Sequence, residues 1–215
     1  MVGSLAVAGM PIGADVTGLL VCGGASRRMG RDKALLPIAG RALIERPLAA
    51  LKQLAPRVVL ATGAQPRYPE LGLECVLDGV PDAGPLAGLC AGLEASRTTW
   101  LAVLSCDLPL ARADVLAGLQ RRAMEAGWDA ALLEVSRGTQ PLYAVYRSSC
   151  LGPVREALRR GERRMVAFHG GLVVGSVAAA LLGPSAERSA LNLNTPEDFR
   201  TLEQELARGD TMGTP

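Results

Sequence analysis

The chain has 215 residues, of which 49% are hydrophobic and 20% charged, and its formal net charge at pH 7 is +2. This composition supplies a large apolar core and excludes a disordered chain, and the charge balance argues against a dedicated polyanion binder. Aromatic residues make up only 3% and His169 is the single histidine. Base stacking on aromatic side chains is therefore disfavoured, and zinc sites with several histidines are excluded.

The cysteines and the apolar segments indicate the cellular compartment. The five cysteines are odd in number and form no C-x-x-C pair, which favours a reducing environment over a disulfide framework. Residues 1–11 are apolar but lack the preceding positive charge of a signal peptide, and the apolar stretch 170–183 is too short to cross a bilayer. We therefore predict a soluble cytoplasmic protein that binds no membrane.

The first half of the chain alternates short β-branched runs with longer helical patterns. Pro47 limits the first turn of one helix, whereas Pro85 is a favourable first residue of another. The predicted elements are a strand at 16–22, a glycine-rich loop at 23–30, a helix at 42–54, strands at 57–61 and 74–77, and a helix at 85–95.

The second half continues the same alternation. The near-continuous apolar run 100–105 is typical of a central strand in a parallel sheet. The other predicted elements are a helix at 113–126, strands at 129–135 and 142–146, a helix at 149–160, a strand at 172–177, and a helix at 196–206 capped by Thr195. This order predicts an α/β fold in which a mostly parallel sheet is flanked by helices. One domain, 16–207, would follow a flexible extension (1–15) and precede a short tail (208–215).

The segment 18–33, GLLVCGGASRRMGRDK, carries the strongest functional signal. Its glycines let several backbone N–H groups converge on phosphate oxygens, and the adjacent cations suit a triphosphate. The alternative is a tight turn with solvated basic residues. Neither the Walker A nor the G-x-G-x-x-G pattern is present. The residues concerned are Gly23, Gly24, Ser26, Gly30, Arg27, Arg28, Arg31 and Lys33.

The string Gly23–Lys33 resembles the signature G-G-x-S-x-R-M-G-x-D-K of nucleotidyltransferases that activate small phosphates or sugars, and it matches every specified position. Within that superfamily the chain is most similar to the molybdenum cofactor guanylyltransferase family, which joins GMP to molybdopterin. The likeness spans roughly residues 17–206. It implies a Rossmann-like nucleotidyltransferase fold that uses GTP and Mg²⁺.

The same resemblance implies a set of nucleotide contacts. Asp78 matches an acidic nucleotide contact, and Gly84–Gly88 matches the G-P-L-A-G segment of the guanylyl enzymes. One departure concerns base specificity: the family often has an asparagine after the second strand, where this chain has Thr62, so that contact is absent or comes from backbone or Thr62. The implied contacts are Val21, Cys22, Gly23, Gly24, Lys33, Asp78, Gly84, Pro85, Leu86 and Asp107.

The segment Cys106–Pro109 matches the family's C-D-x-P motif. Asp107 follows an apolar strand at its carboxyl end, where open parallel sheets place their ligands, and a hard carboxylate there suits Mg²⁺. Taken alone, Asp-x-Pro is also a common helix start. Together with the glycine loop it predicts Asp107 as the metal ligand and Arg28, Lys33 and Asp107 as the catalytic residues.

Two further motifs resemble the side of the family's site that binds the acceptor. Gly161–Arg164 matches G-E-R-R and Asn192–Pro196 matches N-x-N-T-P. Arginine holds phosphate bidentately, and asparagine offers both a donor and an acceptor. The alternatives are a solvated helix end and an ordinary helix cap. The predicted acceptor-binding residues are Arg163, Arg164, Asn192 and Asn194.

The resemblance implies an enzyme that transfers GMP from GTP to the terminal phosphate of molybdopterin, or of its molybdenum-loaded form, and releases pyrophosphate. Further partners would be other proteins of the cofactor pathway and recipient apoenzymes, with no nucleic acid. The alternatives are a cytidylyltransferase of the same pathway, a sugar-phosphate nucleotidyltransferase, and a non-catalytic carrier of a nucleotide-linked pterin. Serine hydrolase chemistry is disfavoured because no G-x-S-x-G elbow accompanies His169.

Overall fold

The computed structural model describes residues 15–22, 32–80 and 83–208. The strands are β1 (Val16–Val21), β2 (Pro37–Ile38), β3 (Arg41–Ala42), β4 (Arg57–Ala61), β5 (Glu74–Val76), β6 (Trp100–Ser105), β7 (Ala130–Val135), β8 (Gly138–Arg147) and β9 (Val174–Ala178). Seven of them form one sheet in the order β5-β4-β1-β6-β8-β7-β9, and β2 and β3 form a separate hairpin. The glycine-rich loop predicted at 23–30 lies outside the described residues, as do most of the predicted extension and tail, whose boundaries stay predictions.

The helices agree with the predicted ones most closely in the middle of the chain. They are α1 (Glu45–Leu54), α2 (Pro85–Ala95), α3 (Ala113–Ala126), α4 (Leu151–Arg159), α5 (Ala186–Ser189) and α6 (Pro196–Ala207). The predicted start of α1 at residue 42 is wrong because Ala42 pairs with Pro37 in the hairpin. The start of α4 is also later than predicted, since residues 148–150 form a 3-10 turn. Within the described ranges, no helix is long and apolar enough to span a bilayer.

The predicted α/β class with a mostly parallel sheet is confirmed. Strands β5, β4, β1 and β6 run parallel, and β9 runs parallel to β7. Among the described strands of this sheet, β8 alone is antiparallel to its neighbours, β6 and β7. It is longer than predicted because its first residues continue the pairing with β7 beyond a register shift at Leu132/Leu133.

Helices cover both faces of the sheet, so its central strands are buried on both sides. In β1, Leu20 belongs to the core beneath α1 and α3, whereas Leu19 and Val21 belong to the core beneath α2 and α4. All six residues of β1 are buried, which explains its largely apolar sequence, and the hydroxyl of the one polar residue, Thr17, is hydrogen-bonded to Thr98. The carboxyl end of β1 is thereby held at one fixed edge of the sheet.

A third, smaller core attaches α6 to the β2–β3 hairpin. Ile38 and Leu43 pack there with Leu193, Phe199 and Leu202. The first two lie shortly after Lys33, and Leu193 lies between the two predicted acceptor-binding asparagines. This cluster therefore brings the segments of Lys33 and Asn194 together, although 161 residues separate them.

Gly92→Ala in α2 is expected to lower the free energy of unfolding by about 1 kcal/mol. The added Cβ would lie 2.5 Å from Leu19 Cδ2, inside the core. Overpacking costs about 1–3 kcal/mol, and the better helix propensity of alanine offsets up to about 1 kcal/mol of that. Urea unfolding measures the difference.

Gly152→Ala in α4 is the matched control, because nothing lies within 4 Å of its added Cβ. We expect its stability to change by less than about 0.5 kcal/mol, because the gain in helix propensity is opposed by the restriction that Pro153 places on the residue before it. Equal losses in the two variants would contradict the close approach of α2 to β1.

Candidate active site

The site lies where three parallel strands end side by side. Cys22 donates its N–H to the carbonyl of Ala61 at 2.8 Å, and Cys106 donates to the carbonyl of Val21 at 3.0 Å. The residues that follow β1, β4 and β6 therefore share one edge of the sheet. Open α/β sheets bind their ligands at this carboxyl edge.

Lys33 joins the predicted catalytic and acceptor-binding residues. Its Nζ donates to Asp107 Oδ2 at 3.2 Å, to the Leu193 carbonyl at 2.6 Å and to Asn194 Oδ1 at 3.2 Å. The side chains of Lys33 and Asp107 are only 16% and 20% exposed. All three ammonium donors thus have an acceptor, which compensates the partial burial of the charge.

Backbone contacts hold the asparagine segment against Asp107. Leu193 donates its N–H to the Asp107 carbonyl at 3.0 Å. The N–H groups of Asn194 and Thr195 both donate to Asp198 Oδ2 at 2.7 Å, and Thr195 caps α6. These hydrogen bonds, from Asn194 first and then Thr195, lower the pKa of Asp198. The predicted helix cap and the predicted acceptor-binding segment are therefore the same structure.

A cleft of about 250 Å³ opens beside Asp107. Asn192 and Asn194 line it together with Asp107, and Leu193 between them points into the small core of α6. Gln140 of β8 and Met165 also line the cleft, and neither was predicted. The cleft combines a carboxylate, three side-chain amides and an apolar wall.

Asp78 lies on the other side of β1, between β5 and α2. Its Oδ1 is fully shielded from solvent and has no hydrogen-bond partner in the part of the chain that is described. A Cβ at Gly88 would lie 3.8 Å from that oxygen, 3.7 Å from Val21 Cγ1 and 3.0 Å from Ala61 Cβ. Burial raises the pKa of Asp78. This carboxyl group can accept hydrogen bonds that the described residues do not supply.

The G-P-L-A-G segment forms the start of α2 next to Asp78. Gly84 has φ +68°, a left-handed conformation that favours glycine, and Pro85 is the first helical residue. Leu86 is fully buried, so any nucleotide contact from it would come from its backbone N–H. Val21 and Cys22 are 3% and 4% exposed, and the Cys22 N–H already donates to the Ala61 carbonyl, so these two residues offer a nucleotide little surface.

The other predicted site residues either lie outside the described residues or are exposed at the border of the site. Gly23, Gly24 and Arg28 lie outside the described residues. Arg163 and Arg164 are exposed, and neither side chain forms a hydrogen bond or ion pair with a described residue. They precede Met165 of the cleft, and a Cβ at Gly84 would lie 3.9 Å from the Arg163 carbonyl. The arginines thus border both halves of the site.

Three side chains that carry reactive atoms are used structurally. The Thr62 hydroxyl donates to the Gln65 carbonyl at 2.7 Å and closes the turn after β4. The Cys22 thiol donates to the Leu20 carbonyl at 3.7 Å, and the neighbouring Cys106 thiol, followed by burial, raises its pKa. His169 packs edge-on against Phe168, and burial lowers its pKa.

Comparison with known proteins identifies the family. A family model described as the MobA-like NTP transferase domain matches residues 18–188. The chain belongs to the MobA-like NTP transferase family. The family membership and nucleotidyltransferase class predicted from the glycine-loop motif are thus confirmed.

Relatives of similar length support the assignment. A protein of Pelotomaculum thermopropionicum, named probable molybdenum cofactor guanylyltransferase, is 34% identical over 86% of this chain and 90% of its own. A protein of Opitutus terrae with the same name is 38% identical over 85% of this chain and 92% of its own. The crystal structure of molybdopterin-guanine dinucleotide biosynthesis protein A from Archaeoglobus fulgidus superimposes with a TM-score of 0.75, at 24% identity over 89% and 99% of the two chains. This likeness confirms the fold.

Sequence reasoning missed a cluster that anchors the Lys33 turn of this family member. Asp32 accepts from the Ala34 N–H at 3.1 Å, from the Tyr68 hydroxyl at 3.2 Å and from the Arg67 guanidinium. Tyr68 is buried and adopts φ +61°, a conformation uncommon outside glycine. Burial, with the bond to Asp32 second, raises its pKa. The only sequence signal was Asp32 itself, inside the glycine-loop motif.

Asp32→Ala is expected to accelerate hydrogen exchange of the Ala34 amide about fivefold. Loss of a side-chain cap costs about 1 kcal/mol, and local opening of the Lys33 turn becomes correspondingly more frequent. NMR-detected exchange measures it. Tyr68→Phe should give a smaller increase, since Asp32 keeps Arg67.

Tyr146→Phe is the control, because that hydroxyl donates to Pro141 and is remote from Asp32 in the contacts described. It should leave the Ala34 exchange rate unchanged. An unchanged rate in Asp32→Ala would show that Asp32 does not hold the turn.

Proposed function

We propose that this protein transfers GMP from GTP to the terminal phosphate of molybdopterin or its molybdenum-loaded form, with release of pyrophosphate. The observation that carries the proposal is the Lys33 ammonium, which joins Asp107 and Asn194 at the carboxyl edge of a MobA-like chain. The names of the relatives from Pelotomaculum and Opitutus support guanylyl transfer. We further propose the cytoplasm as its location and cofactor-pathway proteins and recipient apoenzymes as its partners.

Lys33 would exchange its present acceptors for phosphate oxygens of the nucleotide. An ammonium is a mobile point charge with three donors, and it can follow charge that moves onto the leaving pyrophosphate. Arg28 and the backbone N–H groups of Gly23 and Gly24 would complete this phosphate site. Those three remain predictions from the motif.

Asp107 would hold Mg²⁺. Its carboxylate and the oxygens of Asn192 and Asn194 are hard donors that share one cleft. Among the described residues no group of three or more His, Cys, Asp or Glu could hold a metal. A protein usually binds Mg²⁺ through one or two carboxylates, while water and substrate phosphate oxygens fill the other coordination positions. These residues therefore fit that ion. When bound, the ion supplies charge neutralisation on the phosphates.

The acceptor would lie in the 250 Å³ cleft. Asn192, Asn194 and Gln140 can each donate and accept hydrogen bonds to the amide-like edge of a pterin. Arg163 and Arg164 would bind the acceptor phosphate at the rim. Because Asp198 fixes the Asn194 backbone, the acceptor would meet a preorganised surface.

Asp78 would select the base. Guanine presents two adjacent N–H donors on one edge, which a single carboxylate can accept together. Cytosine and adenine lack such a donor pair. The Asp78 oxygen without a described partner, next to Val21 and Gly88, is suited to this contact.

The reaction then needs positioning more than proton transfer. An oxygen of the acceptor phosphate attacks the α-phosphorus of GTP, a new P–O bond forms, and the bond to pyrophosphate breaks with both electrons leaving on its oxygen. The acceptor phosphate is ionised near neutral pH, since its second pKa is about 6. No general base is required, in keeping with the structural use of His169.

The decisive experiment is a transfer assay with Mg²⁺, molybdopterin and each of GTP, CTP, ATP and UTP, read as pyrophosphate release and dinucleotide formation. We expect product with GTP. Preference for CTP would favour the cytidylyltransferase alternative, and a sugar phosphate as the better acceptor would favour a sugar nucleotidyltransferase. Nucleotide binding without any pyrophosphate release would favour a carrier.

Lys33→Ala and Asp107→Ala should each reduce guanylyl transfer by at least about 100-fold, because each removes a charge that stabilises the transition state. Circular dichroism and thermal unfolding should show a retained fold. Lys52→Ala, at an exposed position of α1, is the control and should keep full activity. Near-normal turnover in either site variant would remove that residue from the mechanism.

Asp78→Asn should lower kcat/KM for GTP about 10- to 100-fold, because a hydrogen bond to a charged group is worth about 1.5–3 kcal/mol. Activity with the other nucleotides should change less, so guanine preference falls. Glu74→Gln in β5 is the control, since Glu74 pairs with Arg57 at the surface. Equal losses with all four nucleotides would refute base selection by Asp78.

A further inference from the structure

A second cleft, of about 430 Å³, lies between α1 and the beginning of α3. It shares no lining residue with the cleft at Asp107. Arg41 follows the hairpin turn, Arg46 lies in the first turn of α1, and Arg112 directly precedes α3. Three guanidinium groups therefore line this cleft, and the proposed transfer reaction uses none of them.

The charges in this cleft are not balanced. Arg112 binds Asp114 through two hydrogen bonds, Nε to Oδ1 at 2.9 Å and Nη2 to Oδ2 at 2.7 Å, so that pair is neutral overall. Across the described ranges, neither Arg41 nor Arg46 forms an ion pair. The cleft consequently keeps two positive charges without a carboxylate partner.

Arg46 is only partly satisfied by the protein. Its Nη2 donates to the Ile38 carbonyl at 3.1 Å, but its Nε is shielded from solvent and has no acceptor among the described residues. Burial, and then the nearby charge of Arg41, lower its pKa. A buried donor without a partner is unfavourable, more so on a charged group, so the protein leaves the Arg46 guanidinium incompletely compensated.

We propose that this cleft binds the phosphoryl group of a small molecule. A phosphoryl dianion places two negative charges on one group and so matches Arg41 and Arg46, whereas a carboxylate supplies only one. The N-terminus of α3, whose first residues line the cleft, adds partial positive charge there. The volume falls in the range of small-molecule sites, which distinguishes this ligand from an extended acidic peptide.

The test is thermal unfolding of the full chain with inorganic phosphate or with methyl phosphate, each against chloride at the same ionic strength. It is run in the Lys33→Ala background, which weakens phosphate binding at the proposed active site. At about ten times the dissociation constant, we expect the melting temperature to rise by about 3 °C. A response to methyl phosphate identifies a phosphate ester as the ligand, and a response to inorganic phosphate alone identifies the free ion; both support a phosphoryl site.

Arg41→Gln and Arg46→Gln should each weaken the phosphate affinity at least about tenfold. Arg41 is exposed, so its variant stays informative if Arg46→Gln affects folding. Arg122→Gln, on the exposed face of α3, is the matched control and should change affinity less than twofold. Absence of a phosphate-specific shift, or equal affinity in all three arginine variants, would overturn the proposal.

Discussion

The ammonium group of Lys33 is the interaction on which the site depends. It binds a side chain at the end of β6 and a carbonyl and an amide before α6, so residues 33, 107, 193 and 194 meet at one point. A partly buried charge is tolerated only when its donors are satisfied, and here all three are. One cation thus holds together the residues for which we propose phosphate, metal and acceptor contacts.

The fold determines where on the molecule the contacts of Lys33 can form. Burial of β1 on both faces fixes its register between β4 and β6, and the ends of these strands become neighbours. Sequence pattern located these strands closely, because buried parallel strands are continuous apolar runs. It missed the β2–β3 hairpin, whose strands of two residues each are too short for any periodicity.

In the site, too, some residues could be predicted from local sequence motifs and others only from the tertiary structure. Asp107, Lys33 and Asn194 were predictable because each lies in a distinctive local motif. The Arg67–Asp32 contact and the position of Gln140 depend on tertiary packing, and an isolated arginine or glutamine in sequence carries no sign of it. A motif predicts which residues have functional chemistry, whereas the residues that orient them appear only in three dimensions.

Glycine controls how closely α2 approaches the sheet beside Asp78. Any Cβ at Gly88 or Gly92 would come within 3.0 Å of Ala61 or Leu19 side-chain atoms. This close packing accompanies the shielding of one Asp78 oxygen from solvent, whereas the Lys33 ammonium on the other side of β1 is partly buried and paired with Asp107. The high glycine content seen in the composition therefore includes residues that permit close packing next to Asp78, in addition to those in the glycine-loop motif.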